Sequence, residues 1–369
     1  MAIYLDHAAT SPLRPEAREA FLRASEIGGN ASSVHSIGRK AKLALEEARA
    51  TLLLHLEGSH VGRVVFTGGG TEANALALHQ ARGFDYIVVS EGEHDSIYNG
   101  AAAIGKPIVK LPLTADGAAD LVALEAILSE TPGRAFVCVM LVNNETGVIS
   151  NVGRLVDHHD GWLHIDAIQA LGKVGFCFDS MDADSVSLSA HKIGSPQGVG
   201  ALIYHSNRVL KPMIWGGGQE LGLRAGTENV PGIAAFAAAI TAPALQLHDV
   251  HKAQAAVEAA LKNLGVTIIG EGARRAPGIL CIAQPHWMSS LQLIHMDMAG
   301  ICVSSGSACS SGKVKSSRVV TAMGRPDLAD KVLRISSGWT TTPADWQAFF
   351  DIWSKGYEVY LKRHAKEVA

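Results

Sequence analysis

The sequence predicts an α/β protein: a large domain with a mainly parallel seven-stranded sheet covered by helices, and a smaller α+β domain. Three observations carry this. Seven short apolar runs, at residues 63–67, 86–89, 108–111, 135–142, 161–165, 185–188 and 200–204, have the length of strands. Helical stretches near 70–78, 96–105, 119–129 and 152–159 alternate with them, the rhythm a parallel sheet needs for its crossovers. Beyond Pro243 the rhythm changes to alanine-rich helices and isolated strands, which places a boundary there. Residues 14–245 are therefore expected to form the large domain, and 1–13 with 246–369 the smaller one.

In order, residues 4–13 read as a short extended piece. Pro15-Glu16 opens a helix to about residue 27, since proline is tolerated in a first turn. Gly28-Gly-Asn-Ala-Ser-Ser-Val-His35 is a polar loop in which Asn30 either reaches a ligand or makes the turn. An amphipathic helix follows over 36–56, with Lys40, Lys42, Glu46, Glu47 and Arg49 as a solvated face. The strand at 63–67 runs into Gly68-Gly-Gly-Thr-Glu72 and a helix. That order gathers free N–H groups and the positive end of the helix dipole at one point, with Thr71 adding a hydroxyl. It is a phosphate cup, although neither GxGxxG nor GxxxxGK[ST] is present. After the sheet come helices at 231–239 and 247–264, strands at 266–269, 278–283 and 332–336, and a last helix opened by Thr342-Pro-Ala-Asp345.

With 369 residues, 47% hydrophobic and 18% charged, the chain can bury a large core. A net charge of -3 gives no reason to expect nucleic acid or an anionic membrane as partner. No apolar run reaches about 18 residues and the first residues lack a signal-peptide pattern, so a soluble, cytoplasmic protein is expected. The five cysteines include no CxxC pair, against a disulfide framework or structural zinc. Cys138, Cys177, Cys281 and Cys302 lie in apolar runs and are expected in the core. Cys309, in Ser304-Ser-Gly-Ser-Ala-Cys-Ser-Ser-Gly312, has no bulky neighbour to bury it and is expected to be an exposed, reactive thiol.

Ligands of parallel sheets bind beyond the carboxyl ends of the strands. Standing there are His94, Asn144, Asp166 with Gln169, and Ser189 with His191 and Lys192. Singly, His94 or Asp166 would serve as a helix cap and Asn144 as a turn. Lys192 is the least easily explained as a solvated charge, because it follows an apolar strand in Ser189-Ala-His-Lys192. A lysine so placed is partly desolvated, as a carbonyl-attacking amine must be.

Those residues carry a resemblance. Leu5-Asp-His-Ala-Ala-Thr10, Phe66-Thr-Gly-Gly-Gly-Thr-Glu72, Glu93-His94, Val142-Asn-Asn-Glu-Thr-Gly147, His164-Ile-Asp-Ala-Ile-Gln169, Ser189-Ala-His-Lys192, Arg224-Ala-Gly-Thr-Glu-Asn229, Ser304-Ser-Gly-Ser-Ala-Cys309 and Arg334 run nearly end to end. The sequence is similar to the cysteine desulfurases of pyridoxal-phosphate fold-type I, in the class with the longer cysteine loop, here about 304–317. It departs from them at Ala31, usually proline, and over 284–290.

The resemblance implies the following roles. Lys192 carries the cofactor covalently and then moves the substrate α-proton. Asp166 faces the pyridine nitrogen, Gln169 the phenolic oxygen, and His94 the ring face. Gly70, Thr71, Ser189 and His191 hold the phosphate, joined by Thr227 from the second subunit of a homodimer. Arg334 binds the substrate carboxylate with Asn144, which also borders the cofactor, and with Asn30. Cys309 attacks the sulfur of L-cysteine, becomes a persulfide and serves a sulfur-acceptor protein such as an iron–sulfur scaffold, or tRNA thiolation. No metal site is implied beyond Cys309 as a transient ligand of a cluster iron. Selenocysteine lyase, an aminotransferase of the same fold and a non-catalytic scaffold are the alternatives. Cys309 counts against the aminotransferase, and the intact Lys192, Asp166 and Cys309 count against the scaffold.

Overall fold

A computed structural model describes residues 2–152, 161–242, 247–306 and 315–364. The helix expected at 152–159 falls almost wholly outside them, and so does Cys309. In chain order the elements are β1 (Ile3–Tyr4), α1 (Pro15–Ser25), α2 (Ser36–His55), β2 (Gly62–Thr67), α3 (Gly70–Gln80), β3 (Tyr86–Ser90), α4 (Asp95–Ile104), β4 (Ile108–Leu111), α5 (Leu121–Glu130), β5 (Ala135–Met140) and β6 (Trp162–Asp166). Then follow β7 (Ser185–Ser189), β8 (Gly200–His205), α6 (Val230–Thr241), α7 (Leu247–Asn263), β9 (Thr267–Ile268), β10 (Ile279–Ala283), α8 (Ser289–Met298), β11 (Ile301–Cys302), α9 (Arg318–Ala322), β12 (Val332–Ser336) and α10 (Pro343–Arg363).

Seven strands form one sheet in the order β2-β8-β7-β6-β5-β3-β4. β8 runs antiparallel to both of its neighbours, and the other paired strands are parallel. The fold class is the one expected. Side chains along a strand point alternately to its two faces, and here both faces are covered. Ala135, Val137 and Val139 of β5 join the core beneath α1, α2 and α6, while Phe136 and Cys138 join the core beneath α3 and α4. All-apolar strands such as β5 follow from that two-sided burial.

The remaining strands make a three-stranded antiparallel sheet, β12-β10-β9. One face packs Leu280, Ile282, Leu333 and Ile335 against Trp346, Phe349 and Trp353 of α10. α10 is started by a capping box in which Asp345 accepts from Thr342 N (2.7 Å). The N-terminal segment is stitched to this unit: β1 pairs in parallel with β11, and Asp6 bridges to Ser336. Hence Asp6, Ala8 and Ala9 are carried from the small sheet toward the ends of the large one.

Two expectations need correction, and one helix was not foreseen. Cys177 and Cys302 are half-exposed, and only Cys138 and Cys281 are buried. Short apolar runs at strand ends and turns place a thiol beside the core without enclosing it. Arg49 is not part of a solvated face, because its guanidinium donates to Glu220 (2.9 and 3.0 Å) and to Val64 O and lies over the Phe66 ring. α8 escapes the sequence reading because its apolar residues lie on both faces: Met296 and Leu293 pack on the core while Leu291, Ile294 and Met298 face outward, which blurs the stripe that marks a packed helix.

Candidate active site

The carboxyl ends of β2, β3, β5, β6 and β7 open into one cavity of about 490 Å³, within the range of small-molecule sites. Gly70, Thr71, His94, Asn144, Asp166, Gln169, Ser189, His191, Lys192 and Arg334 all line it. Two expected residues do not. Asn30 is exposed and turns its Oδ1 back to accept from Ser32 N (2.8 Å), the turn-making alternative. Thr227 is exposed on the surface.

Two glycines shape the floor. Gly69 adopts φ 148°, open to glycine and to few others, and a Cβ on Gly200 would lie 2.5 Å from the Gly69 backbone. β2 and β8 therefore press the turn close to the sheet. α3 starts there with no side chain capping its first N–H groups, which leaves them for an anion. Thr71 stands in that first turn, and Ser189 and His191 border the same space.

Asp166 ends β6 and is 1% exposed. Its Oδ2 accepts from Asn74 Nδ2 (2.8 Å) and its Oδ1 from Ile168 N (3.0 Å). Burial nonetheless raises its pKa above the ordinary carboxylate value. Asn74 is in turn oriented by His164, whose Nε2 lies 3.1 Å from Asn74 Oδ1. Burial lowers His164 to about 3, so it is a neutral ring holding the amide that holds Asp166. Sequence reasoning missed Asn74. The available signal was one amide in an otherwise alanine and leucine helix face.

Lys192 follows β7 in a tight turn, Ala190–Ile193, closed by Gly194 at φ 85°. Its Nζ donates to Ala8 O (2.7 Å) and Ala9 O (2.8 Å). Burial first, and then the charge of Arg334, lowers its pKa to about 8. A fraction of the amine is therefore neutral, and nucleophilic, near neutral pH. His94 is the N-cap of α4: Nδ1 accepts from Ser96 N (3.1 Å), while the exposed ring borders the cavity. Capping fixes the ring orientation, so the cap and the site roles coincide in one side chain.

Arg334 comes from β12, whose alternation turns it away from Leu333 and Ile335 and into the cavity. It is 4% exposed. Nη2 donates to Asp6 Oδ1 (2.9 Å), Nη1 donates to Asn144 O (2.9 Å), and Nε has no partner among the described residues. Asp6 also accepts from Ser304 Oγ (2.9 Å). Glu93, 1% exposed, stands in the wall near Asp166, and burial pushes its carboxyl well above the usual range. The result is a pocket lined by the cationic side chains of Lys192, Lys315, Arg318 and Arg334, with an open helix start and a buried Asp166 at its end. It suits a ligand bearing a phosphate, a carboxylate and a basic ring nitrogen.

Comparison with known proteins identifies that arrangement. Residues 3–349 match the family model for aminotransferase class-V. A cysteine desulfurase of Cereibacter sphaeroides is 38% identical over 92% of both chains. Cysteine desulfurase IscS of Dictyoglomus turgidum is 32% identical over 95% of this chain and 93% of its own. The crystal structure of a NifS-like protein from Rickettsia africae superposes with a TM-score of 0.89 at 33% identity, covering 97% of this chain and all of the other. The chain belongs to the aminotransferase class-V family and, within it, to the pyridoxal-phosphate-dependent cysteine desulfurases. The residues present fit that cofactor: an uncapped helix start with hydroxyls for its phosphate, a buried carboxyl for its ring nitrogen, and a lysine of lowered pKa for its aldehyde.

Proposed function

We propose that this protein takes the sulfur of L-cysteine onto Cys309 and releases L-alanine. The observation that carries the reading is the meeting, in one cavity, of a partly neutral Lys192, a buried Asp166 and the Arg334 fork. Pyridoxal phosphate supplies an electron-accepting ring. Asp166 keeps the ring nitrogen protonated, held to that task by Asn74 and His164. Gly70, Thr71, Ser189 and His191 hold the phosphate, while His94 covers the ring and Gln169 meets the phenolic oxygen. Arg334 orients the substrate carboxylate, with Asn144 beside it, because a planar fork matches that group. Lys192 Nζ takes the α-proton and returns a proton to carbon. The Cys309 thiolate attacks the substrate sulfur. The sulfur–carbon bond breaks, and the products are a persulfide on Cys309 and alanine.

The finer reading is a homodimer, in which Thr227 of one subunit reaches the phosphate of the other. It acts in the cytoplasm and passes sulfur to an acceptor such as an iron–sulfur scaffold. Support comes from the IscS name of one relative, from the exposed position of Thr227, and from the lack of any described helix long and apolar enough to cross a membrane.

The test is to incubate the cofactor-loaded protein with L-cysteine or L-selenocysteine, quantify alanine, and map the persulfide by peptide mass. Alanine from L-cysteine with an extra sulfur on the Cys309 peptide is the expected result. Alanine from L-selenocysteine alone, or alanine without modified Cys309, would overturn it.

A further inference from the structure

Lys173 sits one turn beyond Gln169, after Gly172, and does not itself border the cavity. Its Nζ donates to Gln169 Oε1 (3.1 Å). The other end of that carboxamide, Nε2, donates to Ala8 O (2.7 Å). When protonated, the Lys173 ammonium can only donate, and at any pH the Ala8 carbonyl can only accept. Two independent neighbours thus demand the same orientation of an amide whose two ends otherwise resemble each other in shape. One Nε2 hydrogen goes to Ala8 and the second remains for the cavity that Gln169 lines. Ala8 O also accepts from Lys192 Nζ, so the reactive amine and the amide are tied to one backbone oxygen.

We infer that Lys173 is a positioning residue, which fixes the Gln169 carboxamide so that an N–H, never its oxygen, meets the phenolic oxygen of the cofactor. This rests on the reading that Gln169 faces that oxygen. An amide free to turn would present its carbonyl part of the time and repel an ionised phenol. A fixed donor stabilises the ionised form and makes the linked imine nitrogen less basic. The surroundings agree that Lys173 is held there for a reason. Burial first, and then Lys192 and Arg334, lower its pKa to about 7; burial likewise lowers His7 and His191, with the charge of Lys173 adding to both. No carboxylate forms an ion pair with it among the described residues.

The experiment is a pH titration of the visible absorption of the cofactor-loaded protein without substrate. Lys173→Met should raise the midpoint by about one pH unit, the size of one charge-assisted hydrogen bond, and Lys173→Arg should restore it. Gln169→Leu should raise the midpoint as well, and adding Lys173→Met to Gln169→Leu should move it no further. A shift of equal size from Lys173→Met in both backgrounds would mean a through-space charge effect and would overturn the inference. So would a lowered melting temperature with an unmoved midpoint. An unmoved midpoint in Gln169→Leu, with a shift in Lys173→Met, would instead remove Gln169 from the phenolic oxygen. Should the methionine variant fail to fold, the side-chain amide signals of Gln169 in the unsubstituted chain decide by nitrogen-15 NMR. They should shift as Lys173 titrates and stay still in Lys173→Arg; still signals in both would refute the coupling.

Discussion

The two walls of the cavity are built differently. On the sheet side the central carboxylate is braced by neighbours from the sheet and the helix packed on it: His164 orients Asn74 and Asn74 holds Asp166, while Lys192 and Gln169 rest on the Ala8 carbonyl of the N-terminal segment. On the opposite side Arg334 is gripped by Asp6 and by Asn144 O, from segments 328 and 190 residues away in sequence, and its Nε is left without a partner. The first wall is preorganised whether or not a ligand is there. In the second wall the Arg334 cation is already neutralised by a carboxylate, so a substrate carboxylate has to share or displace Asp6. The difference teaches that cofactor affinity and substrate affinity are separable by mutation.

The largest effect should come from the sheet wall. Lys192→Ala is expected to cut alanine formation by at least about 1,000-fold, since both the covalent link and the proton carrier go. Its melting temperature should move little, because Nζ bonds only the carbonyls of Ala8 and Ala9. Visible absorption and an alanine assay check both halves. Turnover at the parent rate would remove Lys192 from the chemistry. Asp166→Asn should keep the cofactor and slow turnover by about 100-fold, the scale of a lost acid–base contribution; an unslowed variant would reduce Asp166 to a turn residue.

The second wall should answer in KM. Arg334→Lys keeps the charge and loses the fork, and is expected to raise KM for L-cysteine by about 10-fold to 100-fold with a smaller change in kcat. The dissociation constant for pyridoxal phosphate should be unchanged. If cofactor affinity fell in parallel, the two walls would not be separable and the comparison would fail.

Smaller again is a pH effect centred on Lys192, whose burial and, after it, the charge of Arg334 lower its pKa. Lys192 titrates near 8 in the folded protein instead of near 10.5. Only the neutral amine attacks an aldehyde, so the reactive fraction grows as pH rises through 8 and then saturates. Cofactor capture by cofactor-free protein should accelerate about 10-fold from pH 7 to pH 9 and then level off. An increase that continues to pH 10 would place the lysine in an ordinary, solvated setting.

Much of this was legible in the sequence, for identifiable reasons. β4 and β12 coincide with their expected residues because both are short, mostly apolar runs bounded by turns, each interrupted by one cation, Lys110 or Arg334. The strand-end residues were legible because a parallel sheet puts all its carboxyl ends on one edge. Pairings such as Asp6 with Arg334, or Arg49 with Glu220, were not, since nothing local in the sequence marks a partner more than 150 residues distant. Gln169 had a visible signal in its place just after a strand, whereas nothing local in the sequence marks Lys173 as its partner. Cys177 and Cys302 misled because hydrophobic neighbours in sequence are not the same as hydrophobic neighbours in space.

Those two cysteines allow the smallest and sharpest test of the comparison. Cys302 lies on β11, two residues before Ser304, which donates to Asp6, the partner of Arg334. Cys177 lies far from that network, at a turn where its thiol approaches Glu57 O (3.7 Å). Both are half-exposed, whereas burial pushes the thiols of Cys138 and Cys281 up and out of reach of a reagent. In a Cys309→Ala background, a limiting alkylating agent should therefore mark Cys177 and Cys302 and spare the other two. L-alanine, a carboxylate ligand without a thiol, should engage Arg334 and stiffen the strands that hold Asp6. Alkylation of Cys302 is then expected to slow by about 2-fold to 3-fold, on the scale of a few tenths of a kcal/mol of local opening, with Cys177 unchanged. Equal slowing at both sites would mean a global tightening, and no slowing at Cys302 would mean that the Arg334 wall is as fixed as the sheet wall before any ligand arrives.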